Sequence, residues 1–205
     1  MKGLYGIGIV VLLLPACSRG SAAEPVWQDG DVIFQTSRSH QSRAIQLATS
    51  SRYSHVGVVY ADEEGWQVFE AVGPVRSTDL DAWIAQGEGG HFALRRLPAS
   101  SALSSEQGSA MRELAQQWAG IDYDWGFAWS DDKLYCSELV WKLYARGAGI
   151  RLGEPRELGD FDLSHPHVQA KMAERWPLGP PLEEPVVSPQ DLFETTVLET
   201  VTSGR

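Results

Sequence analysis

The tract from His55 to Val72 constrains the fold more than any other part of the chain. Two runs rich in β-branched and aromatic residues, His55-Val56-Gly57-Val58-Val59-Tyr60 and Trp66-Gln67-Val68-Phe69-Glu70-Ala71-Val72, flank the acidic stretch Ala61-Asp62-Glu63-Glu64. Strand-forming runs joined by a short polar turn predict an antiparallel hairpin. If Tyr60 and Gly65 close a four-residue turn, Glu70 stands directly opposite His55 on the same sheet face.

Further strands and several helices surround this hairpin. Val32-Ile33-Phe34, His91 to Leu97 and Thr196 to Val201 read as additional strands. Ser39 is placed to cap a helix bearing Ala44, Ile45 and Ala48 and ending near Ser50. Thr78 and Asp81 have capping-box spacing before a short helix through Trp83 and Ile84 that stops at Gly87. Ser105 starts a helix carrying Met111, Leu114, Ala115 and Trp118 at helical spacing, closed by Gly120. A further helix opens at Cys136, with Leu139, Val140, Leu143 and Tyr144 on one face and Gly147 at its end. The segment 151–187 is rich in Pro, Gly and charge and reads as surface loops, whereas Ser188-Pro189-x-Asp191 is a helix start. The expected class is α+β, an antiparallel sheet packed against helices.

The N-terminus carries Lys2 and then the apolar run Ile7 to Leu14, too short to span a bilayer but of signal-peptide size. Residues 1–23 read as an export segment, and residues 24–205 as a single domain large enough for its own core. Leu14-Pro15-Ala16-Cys17 resembles a bacterial lipobox, which makes Cys17 the expected lipidation site and membrane anchor. Ser21-Ala22-Ala23 offers a competing cleavage site that would release a soluble protein.

With Cys17 lipidated or removed, Cys136 has no disulfide partner in an exported chain, and such a thiol invites a chemical role. The plain alternative is an inert buried thiol. At a helix N-terminus, unpaired backbone N–H groups and the positive end of the dipole favour thiolate. Beside His55, such a cysteine becomes a nucleophile with its base, and Glu70 is the carboxylate able to orient the imidazole. His165-Pro166-His167 near Asp160 and Asp162 lacks defined ligand geometry and reads as a surface loop, so neither a metal nor a cofactor is expected. His40 and His91 have no such neighbours in sequence and are left structural. Tyr123, Trp125, Phe127 and Trp129 either line an aromatic groove or pack in the core. A formal net charge of −10 repels nucleic acid and anionic headgroups, which removes nucleic acid from the expected partners.

Gly30-Asp31-Val32-Ile33-Phe34-Gln35, Tyr53-Ser54-His55-Val56-Gly57-Val58-Val59-Tyr60, Glu70-Ala71-Val72 and Tyr135-Cys136-Ser137-Glu138-Leu139-Val140 follow one another in the chain. In that order they resemble the YiiX/YebB-like group of permuted papain-like cysteine hydrolases, relatives of NlpC-type cell-wall peptidases. The resemblance covers roughly residues 29–146 and extends to Ser188-Pro189-x-Asp191-Leu192. It implies a circularly permuted papain-like domain with histidine ahead of cysteine. It further implies Cys136 as nucleophile, His55 as general base and Glu70 as the residue orienting it. The Cys136 backbone N–H would then serve as an oxyanion donor, with Asp31 and Tyr135 shaping the site, and Tyr123 and Trp125 are further candidates for substrate contact.

Export directs such chemistry to the cell envelope. The leading expectation is cleavage of an amide or related acyl bond in a peptidoglycan peptide or an N-acyl amino acid. A lipid-directed acyl hydrolase or acyltransferase is the alternative within enzymes. A non-catalytic envelope binding lipoprotein is the alternative outside them, although a scaffold has no need of an aligned Cys, His and Glu.

Overall fold

The computed structural model describes residues 25–203; Cys17 and the expected export segment up to Ala23 lie outside the described residues. The chain runs β1 (Val32–Gln35), α1 (Ser42–Thr49), β2 (His55–Asp62), β3 (Gly65–Ala71), β4 (Val75–Asp79), α2 (Leu80–Gln86) and β5 (Phe92–Arg96). It continues through α3 (Ser105–Trp118), α4 (Cys136–Lys142), β6 (Arg156–Glu157), α5 (Pro166–Arg175), β7 (Pro185–Val186), α6 (Pro189–Glu194) and β8 (Glu199–Ser203). Six strands form one sheet in the order β4-β3-β2-β1-β5-β8, and every neighbouring pair is antiparallel.

Alternation along the strands sends the two sheet faces into different cores. Val32, Phe34, Val56, Val58 and Phe69 pack with Met111 of α3 and Leu139 and Val140 of α4. Ile33, Val59 and Val68 face the other way, onto Leu80 and Trp83 of α2. The α+β class expected from the strand and helix patterns is the observed one.

The hairpin is tighter than the four-residue turn predicts. Val58 pairs with Phe69 and Asp62 with Gly65, leaving only Glu63 and Glu64 in the turn. One step further along that ladder Glu70 faces Gly57, so it is diagonal to His55 rather than opposite. A slip of two residues preserves the face, and the two side chains still meet. Gly57 has a packing reason: a Cβ there would lie 2.4 Å from Val68 Cγ1 and 3.0 Å from the Phe69 carbonyl oxygen.

Other boundaries differ from expectation for local reasons. Gln41, not Ser39, precedes α1, and it supplies no side-chain cap because its carboxamide is bonded elsewhere. Thr78 belongs to an unanticipated strand, and Asp79 caps α2 by accepting from the Ala82 N–H at 2.9 Å. The helix begun at Cys136 continues as a wider π-type turn to Ala148 and ends on left-handed Gly149 (φ 71°). Gly147 instead permits close approach of α3, since a Cβ would lie 2.7 Å from Met111 Cγ. The final strand starts later than Thr196 because buried Arg95 draws the carbonyls of Phe193, Thr195 and Leu198 onto its guanidinium. Within 151–187, read as loops, lie α5 and the short β6–β7 ladder. His165 accepts from the His167 N–H at 3.1 Å and caps α5, with Pro166 in the first turn.

Gly57→Ala should destabilise the fold by about 1–3 kcal/mol through overpacking between β2 and β3. Urea denaturation monitored by tryptophan fluorescence measures it, and an unchanged midpoint would refute the packing argument.

Candidate active site

Cys136 is the first residue of α4 and only 3% exposed. Three tethers hold it. The Glu138 carboxylate accepts from the Tyr135 N–H at 3.3 Å and closes the helix start. Ser137 Oγ donates to the Val187 carbonyl at 2.8 Å, while Tyr135 Oη accepts from the Val187 N–H at 3.2 Å. Lys142, one turn on, meets Glu138 Oε1 at 2.7 Å and also donates to the Ser130 carbonyl and Asp131 Oδ1. Both members of the Glu138–Lys142 pair are buried, and burial, opposed by Lys142, pushes the Glu138 carboxyl up to about 7. This pair joins the loop ahead of the cysteine to the helix that carries it.

His55 is the first residue of β2, so its ring stands at a sheet end that α4 reaches from the opposite face. Its Nε2 is 2.6 Å from Glu70 Oε2, and the thiol of Cys136 also lies within hydrogen-bond reach of the ring. Trp83 stacks on the imidazole at 5.7 Å between ring centroids. The Glu70 carboxylate, 1% exposed, accepts further bonds from Thr78 Oγ1 at 2.7 Å and Trp83 Nε1 at 2.7 Å.

These contacts decide the ionisation. Burial works to lower the His55 pKa, but the hydrogen bonds and charges of Cys136 and Glu70 outweigh it and raise it to about 10. For Glu70, burial raises the pKa, and the bonds from His55, Thr78 and Trp83 together with the His55 charge bring it below the usual carboxylate value. The site therefore favours an imidazolium held between a carboxylate and the sulfur.

Two recesses flank this line of groups. Cys136 lies in the wall of an apolar pocket formed by Ile45, Ala48, Phe127, Phe161 and Val186. His55 and Glu70 lie in a more polar cleft with Gln35, Arg38 and the half-exposed Trp125. Tyr123 borders both.

The structure thus brings together Cys136, His55, Glu70, Tyr123, Tyr135 and Trp125. Asp31 is a correction. Its fully buried carboxylate takes two bonds from Arg96, at 2.6 and 2.7 Å, and one from the Gln28 N–H at 3.0 Å. It precedes β1 at the end away from Gln35, the residue that pairs with His55. A buried carboxylate must be matched by charge or donors, and Asp31 is spent on that structural pair. Sequence reasoning missed Thr78 and Trp83 as the supports of Glu70. Thr78 resembled a helix cap, and no local pattern reveals a strand whose role is to bring a hydroxyl to a distant carboxylate.

A model of the permuted papain-like amidase family, YaeF/YiiX, C92, matches residues 26–202. The chain belongs to that family. The uncharacterized protein YiiX of Escherichia coli (strain K12) is 51% identical over 174 residues, covering 85% of each chain. A crystal structure of the metalloprotein yiiX from Escherichia coli O157:H7 superposes with a TM-score of 0.82 at 51% identity, covering 86% of this chain and 97% of that one. The permuted papain-like fold and the cysteine amidase or peptidase class expected from the sequence are those of this family.

The His55 shift predicts a pH dependence of stability. A histidine whose folded pKa exceeds its unfolded value contributes fully below about 6.5 and loses that contribution as pH rises through about 10. The urea midpoint of the wild type should fall across this window, and His55→Gln should fall less. Parallel curves for the two proteins would contradict the assignment.

Proposed function

We propose that this family member is an exported cysteine hydrolase that cleaves an amide or related acyl bond in a cell-envelope substrate, a peptidoglycan peptide or an N-acyl amino acid. The observation that carries the reading is the His55–Glu70 pair, 2.6 Å apart, with Cys136 beside it at the start of α4 and Tyr123 bordering both recesses. Cys136 attacks the carbonyl carbon as thiolate, and His55 holds the proton taken from the sulfur. The Cys136 N–H donates to the oxyanion of the tetrahedral intermediate. His55 then passes its proton to the departing amine, leaving an acyl group on sulfur. Water, activated by the neutral imidazole, releases the acid and restores the thiol. Glu70 orients the ring and stabilises its charged form.

The location rests on the N-terminal pattern: export through residues 1–23 and lipid attachment at Cys17 place the domain at a bacterial envelope membrane, facing the periplasm. Cleavage after Ala23 would instead give a soluble periplasmic form. A second reading, a lipid-directed acyl hydrolase or acyltransferase, is favoured by one observation, the apolar lining of the pocket beside Cys136. The related Escherichia coli structure is that of a metalloprotein. Among the described residues no group of three or more His, Cys, Asp or Glu side chains is placed to hold a metal ion, and His55 and Glu70 are bonded to each other. The donor set does not fit, and no step runs through a metal.

Acyl amides, peptidoglycan fragments and phospholipids, screened in parallel against wild type and Cys136→Ala, test the reading. Turnover is expected from the wild type alone. Glu70→Gln should retain activity weaker by about 10²–10⁴-fold, since it keeps shape but loses charge. Full turnover by Cys136→Ala would overturn the nucleophile, and wild-type turnover by a folded Glu70→Gln would overturn the orienting role.

A further inference from the structure

One group in the wall of the polar cleft is buried and uncommitted. Gln35 ends β1 and pairs directly with His55, which opens β2, so the two side chains stand together on one sheet face. Gln35 is 3% exposed, and its Oε1 has no hydrogen-bond partner among the described residues. Its polar neighbours in the wall are engaged: the Ser37 hydroxyl with Ser39, the Ser54 hydroxyl with Ser42, and the Gln41 carboxamide with Tyr123 and Arg175. We propose that Gln35 contacts substrate, and that the cleft takes a leaving amine carrying an amide and a carboxylate, as a short peptide does. Gln35 bonds that amide, and Arg38 faces the carboxylate. The proposal rests on the reading of Cys136 as nucleophile and His55 as its base.

Space for the carboxamide is built into the fold. At Gly87, which ends α2, a Cβ would overlap Gln35 Oε1 and lie 3.2 Å from Gln35 Cδ and 3.3 Å from the Ile84 carbonyl oxygen. The Gly87 backbone, at φ −67° and ψ 159°, is one that any residue adopts, so its bareness makes room for Gln35 rather than serving a turn. A buried acceptor without a donor destabilises a fold, and native proteins hold few of them. The terminal torsion of a glutamine is soft. This carboxamide can therefore turn toward a ligand with no hydrogen bond of its oxygen to break.

Proton transfer decides which half of the substrate enters the cleft. In the proposed reaction His55 delivers its proton to the departing nitrogen, which must lie within hydrogen-bond reach of the imidazole as its bond to the acyl carbon breaks. Cys136, which keeps the acyl carbon, lies in the wall of the apolar pocket instead. Substituents on the nitrogen therefore run past His55 into the cleft, toward its cross-strand neighbour Gln35. The cleft encloses about 420 Å³, within the range of small-molecule sites. A carboxamide offers a donor and an acceptor side by side, the pair that complements a peptide group. Among the described residues of the wall, exposed Arg38 is the permanent cation, and Trp125, 57% exposed, adds a flat aromatic surface.

Nitrogen-15 NMR of labelled Cys136→Ala protein, from which the nucleophile is absent, tests this with amides that share an acetyl half. N-acetylglycylglycine should shift the Gln35 side-chain NH₂ and the Trp125 indole resonances, each assigned by substitution. It should bind about tenfold more tightly than N-propylacetamide, the order of one hydrogen bond. Gln35→Met in the same protein should remove that advantage and leave N-propylacetamide unaffected. Gly87→Ala, which displaces the carboxamide without removing it, should act in the same direction. Arg38→Met should abolish the preference for N-acetylglycylglycine over N-acetylglycylglycinamide, which lacks the carboxylate. The urea midpoint of Gln35→Met should equal or exceed that of its parent, because the change removes a buried acceptor that no donor satisfies.

Equal affinity for N-acetylglycylglycine and N-propylacetamide would overturn the proposal, as would an undisturbed Gln35 resonance or undiminished binding by folded Gln35→Met. A lowered urea midpoint in Gln35→Met would assign the side chain to structure and overturn it too. A preference for the carboxylate that survives Arg38→Met would overturn the role of Arg38. Wild-type Cys136 reacting with iodoacetamide no faster than a free model thiol would overturn the underlying nucleophile reading. Fast alkylation in a protein whose cleft treats the amides alike would overturn only the inference.

Discussion

The buried carboxylate of Glu70 is the constraint on which the arrangement of this domain turns. A charge removed from water is tolerated only when donors or opposite charge replace its hydration. Here the replacements come from three separate elements: His55 opens β2, Thr78 lies on β4, and Trp83 projects from α2. Satisfying one carboxylate therefore draws both neighbours of β3 and the helix beneath them to one end of the sheet. Gly57 makes this possible, because a side chain across from Glu70 would collide with β3. The histidine is thereby held before any substrate arrives, which is the preorganisation that proton transfer requires.

The cysteine is held independently, from the other sheet face. Glu138 accepts from the Tyr135 N–H ahead of Cys136 and pairs with Lys142 one turn on, and Lys142 also grips the loop at Ser130 and Asp131. The two supports meet where α4 packs on β2 and β3, at the sheet end that carries His55. Such a division lets the sheet tune the base and the helix aim the thiol. The apolar pocket on the cysteine side and the polar cleft on the histidine side also suit the chemistry. In the proposed reaction the acyl carbon would stay on sulfur, whereas the leaving amine would depart past the imidazole.

Much of this was legible in the chain because the decisive features are local or periodic. The hairpin, the Cys136 helix and the helix start at Ser188 each announce themselves within a few residues, and the structure contains all three. The hairpin shows why an imperfect register still located the site: a shift of two residues preserves the sheet face, so Glu70 remains beside His55. Long-range satisfaction was not legible. Asp31 looked available beside the first strand, yet Arg96, distant in sequence, occupies it. Thr78 resembled a cap, and α5, of whose residues only Val168 is buried, hid in a Pro- and Gly-rich segment. The bonds of Gln41 to Arg175 and Tyr123 carry no sequence signal either, since they form only where distant segments meet.

The contacts of Glu70 and Cys136 favour an imidazolium at neutral pH for the ring between them. Nitrogen-15 NMR of histidine-labelled protein, with His55 assigned by its substitution, measures this directly. Both ring nitrogens of His55 should remain protonated at pH 8 and lose a proton only near pH 10. A neutral His55 ring at pH 8, titrating close to the unperturbed value of about 6.5, would contradict it.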